Sequence, residues 1–440
     1  MSYLSGWGRF PRIATHIVTP RQRHEVAGLV AAHDSLIAHG YGRSYGDCAL
    51  NARTTLRTTG LDRLLAFDPT SGLLTCEAGV LLADIVDLFV PRGWFPAVTP
   101  GTRFVSIGGM IAADVHGKNH HIAGTFGDCV EGFDLLLADG RLVHCSRTEN
   151  ADLFAATIGG MGLTGLILSA SFRLIPIETS QIRQETLKAE NLDEVMARFE
   201  DSRTWTYSVA WIDCLASGSQ LGRSLLFRGE HALVETLPHE RRNRPLETPR
   251  KRRITVPFDF PSFALNRWSV RAFNEVYYRA GRPGHRLVGY ETFFYPLDAI
   301  LEWNRIYGRS GFTQYQCVLP KAASREGLNA LLGRISASGK GSFLAVLKLF
   351  GAQSGVMSFP MEGYTLALDF SADAANLALL SELDAIVADC GGRLYLAKDA
   401  RTTPEMIRQG YPNMATFKAI RDRVDPERKF SSLQSQRLDL

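Results

Sequence analysis

Three glycine-rich segments within the first 170 residues constrain the fold more than any other feature of this chain. They are GYGRSYGDC (residues 40–48), the run PGTRFVSIGGMIAADVHGKNHH (100–121) and GGMGLTGLI (159–167). Glycine tolerates positive φ and lets a backbone come close to a ligand, and such turns can point backbone N–H groups at an anion. A tight hairpin explains the first segment equally well. Together the three predict a large dinucleotide held in extended form.

Two common alternatives fit these segments poorly. The first segment follows a predicted strand at residues 35–38, but it lacks the Gly-Lys-Ser/Thr of a P-loop and the spacing that opens a Rossmann helix. A metal site at His116, His120 and His121 is disfavoured, because Gly117 interrupts a regular helix and no carboxylate or thiolate lies nearby at ligand spacing. We therefore expect no metal.

Composition narrows the class of protein. The chain has 440 residues, 45% hydrophobic and 21% charged, which excludes a disordered or fibrous chain and allows two large domains. The net charge of +4 is small for a dedicated nucleic-acid-binding protein. No apolar stretch reaches the roughly 18 residues that span a bilayer, and residues 1–10 lack the layout of a secretory signal. We expect a cytoplasmic or peripherally membrane-associated protein, with its seven cysteines reduced.

A basic run at residues 239–255, HERRNRPLETPRKRRIT, stands out from this balanced composition. A solvated loop is the favoured interpretation. The alternative is a patch that meets anionic lipid headgroups or a phosphate-bearing substrate. Nucleic-acid binding is disfavoured, since the run has no interleaved aromatic residues for base stacking.

The order of the motifs resembles a known family. RSYGD, then PGT, then GG-x-I-A-x-D-x-HGKNHH, then GG-x-GLTG are similar to the PCMH-type FAD-binding domain of the vanillyl-alcohol-oxidase superfamily, and HGKNHH is similar to a subgroup that oxidises polyprenyl-phosphoryl ribose. TYSVAWID, FFYPLD, QYQCVLP, VLKLFG, GGRLYLAKDARTT and VDPERKF agree with that subgroup in order and spacing. The resemblance covers nearly the whole chain.

The resemblance implies an α+β fold with two domains. The FAD-binding domain would span residues 1–178, and a substrate-binding domain with an antiparallel sheet would span 179–385. The last segment, 386–440, would pack back on the FAD-binding domain.

The resemblance also implies how FAD is held. Many members bond the flavin covalently through a histidine at the end of the first glycine segment, where this chain has Asp47, so FAD is expected to be non-covalent. The implied cofactor-binding residues are Gly40, Tyr41, Gly42, Arg43, Ser44, Tyr45, Gly46, Asp47 and Cys48 around the pyrophosphate, with Gly101, Ser106, Ile107, Gly108 and Gly109. Ala113, Asp114, Val115 and His116 would run beside the isoalloxazine, and the backbone near Ile167 would meet the adenine.

The substrate side is predicted from later segments. Lys348 lies among apolar residues in FLAVLKLFG, where a lysine is costly without an anionic partner. The resemblance supplies one, because negative charge develops on the flavin as it accepts a hydride. This lysine could also hold the substrate phosphate or alcohol oxygen, or simply extend its amine to water. The resemblance implies that Cys317 is an accessible thiol close to the ring, and the alternative is a small core residue. Gln316 and Trp211 complete the implied substrate-binding set.

Oxidising a secondary alcohol also requires that its hydroxyl proton leave. The candidates are His116, Tyr45 and Lys348. We expect His116 to be a polar partner of substrate or flavin, and Tyr45 to be a wall of the pocket. His120 and His121 are expected to complete a polar turn, and Glu291, Asp369, Lys398, Asp399 and Arg401 to be mostly structural.

The function implied by the resemblance is oxidation of the ribose 2′-hydroxyl of a polyprenyl-phosphoryl-β-D-ribose to a 2-keto sugar, with oxygen or a quinone-like molecule as final acceptor. A keto-sugar reductase partner would complete epimerisation to the arabinose donor for cell-envelope glycan. Two alternatives stay open. One is an FAD-linked sugar or aldonolactone oxidase with a soluble substrate, and the other is a non-catalytic flavin-binding module.

Overall fold

Two sheets built from the first 176 residues form the N-terminal part of the protein, in a computed structural model that describes residues 2–248, 253–261 and 264–440. The elements of this part are β1 (Ser2–Ser5), β2 (Arg12–Val18), α1 (Arg23–Ala31), β3 (Leu36–His39), β4 (Thr54–Arg57), β5 (Leu64–Asp68), β6 (Leu73–Glu77), α2 (Leu82–Phe89), β7 (Trp94–Pro96), α3 (Ile107–Ala112), α4 (His120–Ala123), α5 (Phe126–Cys129), β8 (Val130–Leu136), β9 (Leu142–Ser146), α6 (Ala151–Thr157) and β10 (Leu166–Pro176).

The first sheet has the order β1-β2-β4-β3, with β4 parallel to both β2 and β3. The second has the order β5-β6-β10-β8-β9, its neighbours are antiparallel, and β7 also pairs with β10. Helix α2 has an apolar face that includes Ile85 and Phe89, and both are buried in the main core. Gly93 follows this helical segment with φ of 82°, a conformation that glycine adopts without strain.

The later elements centre on one large sheet. They are β11 (Gln181–Ala189), α7 (Leu192–Asp201), β12 (Tyr207–Ile212), β13 (Ser224–His231), α8 (His239–Arg242), β14 (Ile254–Thr255), α9 (Arg267–Ala280), β15 (Gly284–Gly289), α10 (Tyr290–Phe294), β16 (Ile300–Leu301), β17 (Phe312–Pro320), α11 (Ser324–Ser338), β18 (Ala345–Phe350), β19 (Gly363–Ser371), α12 (Ala374–Asp389) and β20 (Arg393–Leu394). The antiparallel order is β15-β11-β13-β12-β18-β19-β17-β20. The α+β fold class predicted from the sequence is confirmed.

The two faces of this sheet differ in character because side chains alternate along each strand. On one face, Leu347, Leu366 and Cys317 pack in an apolar core with residues of α7, α11 and α12. On the other face, Gln316 lies opposite Ala367 and Lys348 lies opposite Thr365. The polar face is the one that carries the candidate site.

The C-terminal segment packs against the N-terminal part. Its helices are α13 (Pro404–Gly410), α14 (Met414–Val424) and α15 (Leu433–Leu438). The Leu36 N–H donates to the Lys429 carbonyl at 2.9 Å, and the Leu433 N–H donates to the Leu50 carbonyl at 2.8 Å. The domain boundaries at 178 and 385 stay a prediction, since one apolar core joins residues from all three segments.

The basic run 239–255 falls partly outside the described residues, which omit 249–252. Of the described part, 239–242 form the short helix α8 and 254–255 form β14. Among the helices that the structure describes, none is both long enough and apolar enough to cross a bilayer.

Candidate active site

The first glycine segment begins directly after β3. Among the described residues, no acceptor is found for the backbone N–H groups of Tyr41, Gly42, Arg43 and Ser44, so four successive donors remain available. Gly42 has φ of 65°. Gly46 permits a close approach, because a Cβ there would lie 1.7 Å from the Asp399 carbonyl oxygen. The sequence predicts a loop that holds an anionic pyrophosphate, and these free donors fit that group.

The other two glycine segments meet beside α3. Ser106 caps this helix by accepting the Gly109 N–H, and a Cβ at Gly40 would lie 2.3 Å from the Ser106 Oγ. The Gly159 N–H donates to the Ile111 carbonyl, which joins the third segment to the same helix. The structure therefore brings the three segments together, as an extended dinucleotide requires.

The other residues predicted to bind the cofactor, Ala113, Asp114 and Ile167, make different contacts. The Tyr395 hydroxyl donates to the Ala113 carbonyl at 2.7 Å. Asp114 accepts hydrogen bonds from the Gly127 N–H and the Ser358 hydroxyl, and burial raises the pKa of this carboxyl to about 6. Ile167 lies in β10 opposite Leu135. Asp114 thus orders the loop behind His116, and the contact of Ile167 with an adenine stays a prediction.

Asp47 is held by an ion pair. It stands at the position where the resemblance implies a flavin-bonding histidine in many other members. Its Oδ1 lies 2.9 Å from the Arg437 Nη2, which also lies 2.8 Å from the Asp399 Oδ2. Burial raises the pKa of Asp47, and the charge of Arg437 opposes the shift. Asp47 links the first glycine segment to α15.

His116 projects into the polar side of the large sheet. Its Nε2 lies 3.0 Å from the Gln316 Nε2, which can only donate, so the neutral ring accepts there and carries its proton on Nδ1. Nδ1 is buried without a hydrogen-bond partner in the part of the chain that is described. Burial, and then the charge of Lys348, place the pKa of His116 well below its usual value. His116 is therefore an uncharged donor that a ligand can engage.

Two half-buried lysines, Lys348 and Lys398, lie close enough to His116 to lower its pKa, and Lys118 follows it by two residues in the chain. Burial lowers the pKa of Lys348 to about 8, and it lowers the pKa of both Lys118 and Lys398 to about 7, with Lys348 contributing to the last two shifts. Lys118 donates to the Phe293 carbonyl. Lys348 has no hydrogen-bond or ion-pair partner among the described residues. An anionic ligand would supply the partner that the Lys348 amine lacks.

A carboxylate lies beside Lys398. Asp369 accepts hydrogen bonds from the Gln314 Nε2 at 2.7 Å and the Tyr307 hydroxyl at 3.2 Å. Burial raises the pKa of Asp369 to about 7, against the hydrogen bond from Gln314 and the charge of Lys398. The Lys398 Nζ lies 3.8 Å from the centre of the Tyr45 ring. Asp369 and Lys398, which the sequence predicts to be mostly structural, thus lie together beside Tyr45, and the sequence pattern did not indicate this cluster.

The other charged residues expected to be structural do form ion pairs. Glu291 pairs with Arg103, Asp399 with Arg437, and Arg401 with Asp384.

The predicted substrate-binding residues are not all on one face. Trp211 opposes Val346, which opposes Ala367, which opposes Gln316, so Trp211 and Gln316 share the face that carries Lys348. Cys317 has no exposed surface and lies on the opposite face. Burial raises its pKa to about 12. The expectation of an accessible thiol close to the ring is wrong, because neighbouring residues of a strand point to opposite faces.

The neighbouring histidines His120 and His121 bind different partners. The His120 Nδ1 accepts the Gly351 N–H, and the His121 Nε2 donates to the Trp205 carbonyl. No group of three or more metal-ligating side chains is arranged around one point in the described residues.

Two family models and several known proteins are similar to this chain. Residues 14–146 match the family model of the FAD binding domain, and residues 366–438 match that of D-arabinono-1,4-lactone oxidase. The chain is 38% identical to a decaprenylphosphoryl-beta-D-ribose oxidase of Mycolicibacterium smegmatis, over 99% of this chain and 97% of that protein. It is 23% identical to an L-gulono-1,4-lactone dehydrogenase of Mycobacterium tuberculosis, over 96% of this chain and 95% of that protein. It is 31% identical to the L-gulonolactone oxidase of Mus musculus, over 37% of each chain.

Proposed function

The chain belongs to the family of decaprenylphosphoryl-β-D-ribose oxidase and is an FAD-dependent oxidoreductase acting on a CH–OH group, and from this we propose that it oxidises the 2′-hydroxyl of a polyprenyl-phosphoryl-β-D-ribose to the 2-keto sugar. The observation that carries the proposal is the cluster of His116, Lys348 and Lys398 between the glycine segments and the large sheet. These donors suit a ligand that is both hydroxylated and anionic. The product would be the substrate of a keto-sugar reductase.

FAD would be held by the glycine segments without a covalent bond. The free N–H groups of residues 41–44 would bind its pyrophosphate, and Ser106 and Gly109 would continue the cradle. Asp47 is already occupied by Arg437 and has no nucleophilic nitrogen to offer. FAD supplies the acceptor for the hydride that leaves C2′ of the sugar.

The side chains take separate roles in this proposal. His116 donates from Nδ1 to a substrate or cofactor oxygen and stays uncharged. Lys348 in its uncharged form, which the lowered pKa of about 8 makes accessible near neutral pH, would take the proton of the 2′-hydroxyl as the C–H bond breaks. Tyr45 remains a protonated phenol, since burial raises its pKa, and it forms a wall of the pocket. Lys398, whose charged form is favoured by the nearby Asp369, would add positive charge beside that wall when it is protonated.

Location follows from the lipid nature of the proposed substrate. We keep a cytoplasmic or peripherally membrane-associated location as part of the proposal, with contact near residues 239–255. Arg241, Arg242 and Arg244 are exposed there.

A second candidate is supported by the match of residues 366–438 to D-arabinono-1,4-lactone oxidase. In that case the substrate would be a soluble sugar or aldonolactone. The non-catalytic module is set aside, because the family is one of oxidoreductases.

The test is an anaerobic absorbance titration of the purified protein with a short-chain prenyl-phosphoryl-β-D-ribose and, separately, with L-gulono-1,4-lactone. We expect flavin bands that are released by acid precipitation and that bleach with the lipid sugar alone. Bleaching by the lactone alone would favour the second candidate.

The matched variant is Lys348→Met. It should retain flavin while its reduction rate falls by about 100-fold or more, because the proton acceptor is lost. A Lys348→Met protein with the wild-type rate would contradict the role of Lys348.

A further inference from the structure

Helix α9 presents an unusual apolar face to the exterior. Trp268 is 73% exposed and Val276 is 69% exposed, and Phe273 and Tyr277 are also exposed. Positions 268, 272 and 276 lie four residues apart, so they follow one another along one side of the helix. The opposite side is anchored by Val270, Asn274 and Tyr278, which are buried. An apolar face of this size on the surface indicates an interaction site.

Arginines accompany this face. Arg267, Arg271 and Arg279 are exposed on α9, and Arg282 follows it. Arg271 and Arg282 have no ion-pair partner in the described part of the chain. Glu275, the one acidic residue of the helix, is paired with both Arg223 and Arg279. The helix therefore combines exposed apolar side chains with uncompensated positive charge, which is the pattern of a helix that lies in the interface of an anionic membrane.

Residues 253–258, which precede α9 in the chain, also expose apolar and basic side chains. Ile254 is 70% exposed and Phe258 is 63% exposed, and Arg253 is exposed beside them. Leu265, just before the helix, packs instead against the aromatic cluster that includes Tyr45 and Trp303. Leu265 thus ties the start of α9 to the wall of the candidate site.

Aromatic contacts connect the helix with the site. Ring centres are 5.6 Å apart for Phe273 and Phe343, 6.1 Å for Phe343 and Tyr307, 4.2 Å for Tyr307 and Phe312, and 5.4 Å for Phe312 and Tyr45. Tyr45 is the residue beneath Lys398. Packed aromatic rings therefore couple the helix to the wall of the candidate site.

We propose that the exposed face of α9, with Trp268 and Val276 at its centre and the arginines at its margin, docks the protein on the surface of an anionic lipid membrane. Docking there would bring the wall of the candidate site close to a substrate held in lipid. The docking face deepens the membrane contact of the proposed function, and the lipid nature of the substrate rests on that proposal. A protein partner and a second copy of this chain are the competing occupants.

The experiment is flotation of the purified holoprotein with vesicles of phosphatidylcholine, with or without phosphatidylglycerol. Wild type should float with the anionic vesicles and much less with the neutral ones, and added salt should weaken the binding. Trp268→Ser/Val276→Ser should reduce binding by about fivefold or more, and so should Arg271→Gln/Arg282→Gln.

Matched controls alter the same kinds of residue elsewhere. Leu142, on β9, is 52% exposed, and Leu142→Ser should float like wild type. Arg53→Gln/Arg63→Gln removes two exposed arginines of the N-terminal part and should also leave flotation unchanged. Turnover of a short-chain substrate in solution should be unchanged in every variant, so a failure of docking is separable from a failure of the proposed function.

Two outcomes overturn the proposal. Wild type that floats with no vesicle would leave a protein partner or a second copy as the occupant of this face. Equal flotation of Trp268→Ser/Val276→Ser and Leu142→Ser would place membrane contact elsewhere.

Discussion

The Lys398 amine lies over the ring of Tyr45, with Nζ 3.8 Å from the ring centre. The two residues are also joined through the backbone, because the Tyr45 N–H donates to the carbonyl of Ala397 at 3.0 Å. The first glycine segment and the C-terminal segment thereby build one wall together. An amine held there contributes positive charge at the site where anionic ligands are expected.

Replacing this amine tests its contribution. Lys398→Met keeps the length of the side chain and its packing on Tyr45 but removes the charge. We expect the anaerobic flavin reduction rate to fall by about 100-fold, because stabilisation of developing negative charge is lost. Stopped-flow absorbance measures that rate, and the released flavin measures cofactor content.

Lys321→Met is the matched control. Lys321 pairs with Glu200 on the surface, so its loss should change the rate by less than about twofold. Equal rates for wild type and Lys398→Met would contradict the role of Lys398.

The strand alternation makes a second prediction about thiols. Cys317 should resist a maleimide in the native protein, and Cys317→Ala should retain turnover, because the thiol is buried on the face away from the site. Ala367 lies opposite Gln316 on the site face. Ala367→Cys should therefore react with the maleimide and lose activity on labelling. Mass spectrometry locates the label.

The double variant Cys317→Ala/Ala367→Cys separates the two positions. It should label at residue 367 and lose activity as the single variant does. Labelling of native wild type at Cys317 would contradict the assigned register.

Local patterns predict one part of the site and fail for the other. The glycine segments, Lys348 and His116 were recognisable because each carries its signal in a few adjacent residues. Asp369 and Lys398 were not, since their significance depends on contacts with Tyr307 and Tyr45, which are distant in the chain. Only the pairing of β17 with β19 and the packing of the C-terminal segment bring them together.

Cys317 shows a different limit. The sequence QYQCV already alternates, and if Gln316 faces the site then Cys317 must face away. The family resemblance alone implied an accessible thiol at this position. The strand period was therefore the signal that could have placed the thiol in the core.

Arg437 forms ion pairs with both Asp47 and Asp399, so we expect a large loss of stability when this arginine is removed. Arg437→Met would leave two buried carboxylates, Asp47 and Asp399, without their shared cation. We expect the free energy of unfolding to fall by about 3–5 kcal/mol, as for other broken buried pairs. Urea unfolding of the holoprotein followed by circular dichroism measures it.

Arg408→Met is the control for that loss. Arg408 pairs with Glu405 on the surface, and its removal should cost less than about 1 kcal/mol. A similar small loss in Arg437→Met would show that the C-terminal helix is held by packing alone.

The raised pKa of Asp369 makes stability depend on pH. Burial raises the pKa of this carboxyl from 3.8 to about 7, so between these values the unfolded chain releases a proton that the folded protein keeps. The unfolded state then binds fewer protons, and this group lowers the stability of the fold as pH rises from about 4 to about 7. Asp369→Asn cannot titrate, and its amide oxygen can still accept the hydrogen bond from Tyr307. Relative to wild type, Asp369→Asn should therefore become more stable as pH rises through this window, measured by urea unfolding at several pH values.

Asp373→Asn, at the N-terminus of α12, serves as the comparison on the same strand-helix connection. A constant difference between wild type and Asp369→Asn across the window would mean that Asp369 is ionised in the folded protein, with Lys398 as its counter-charge.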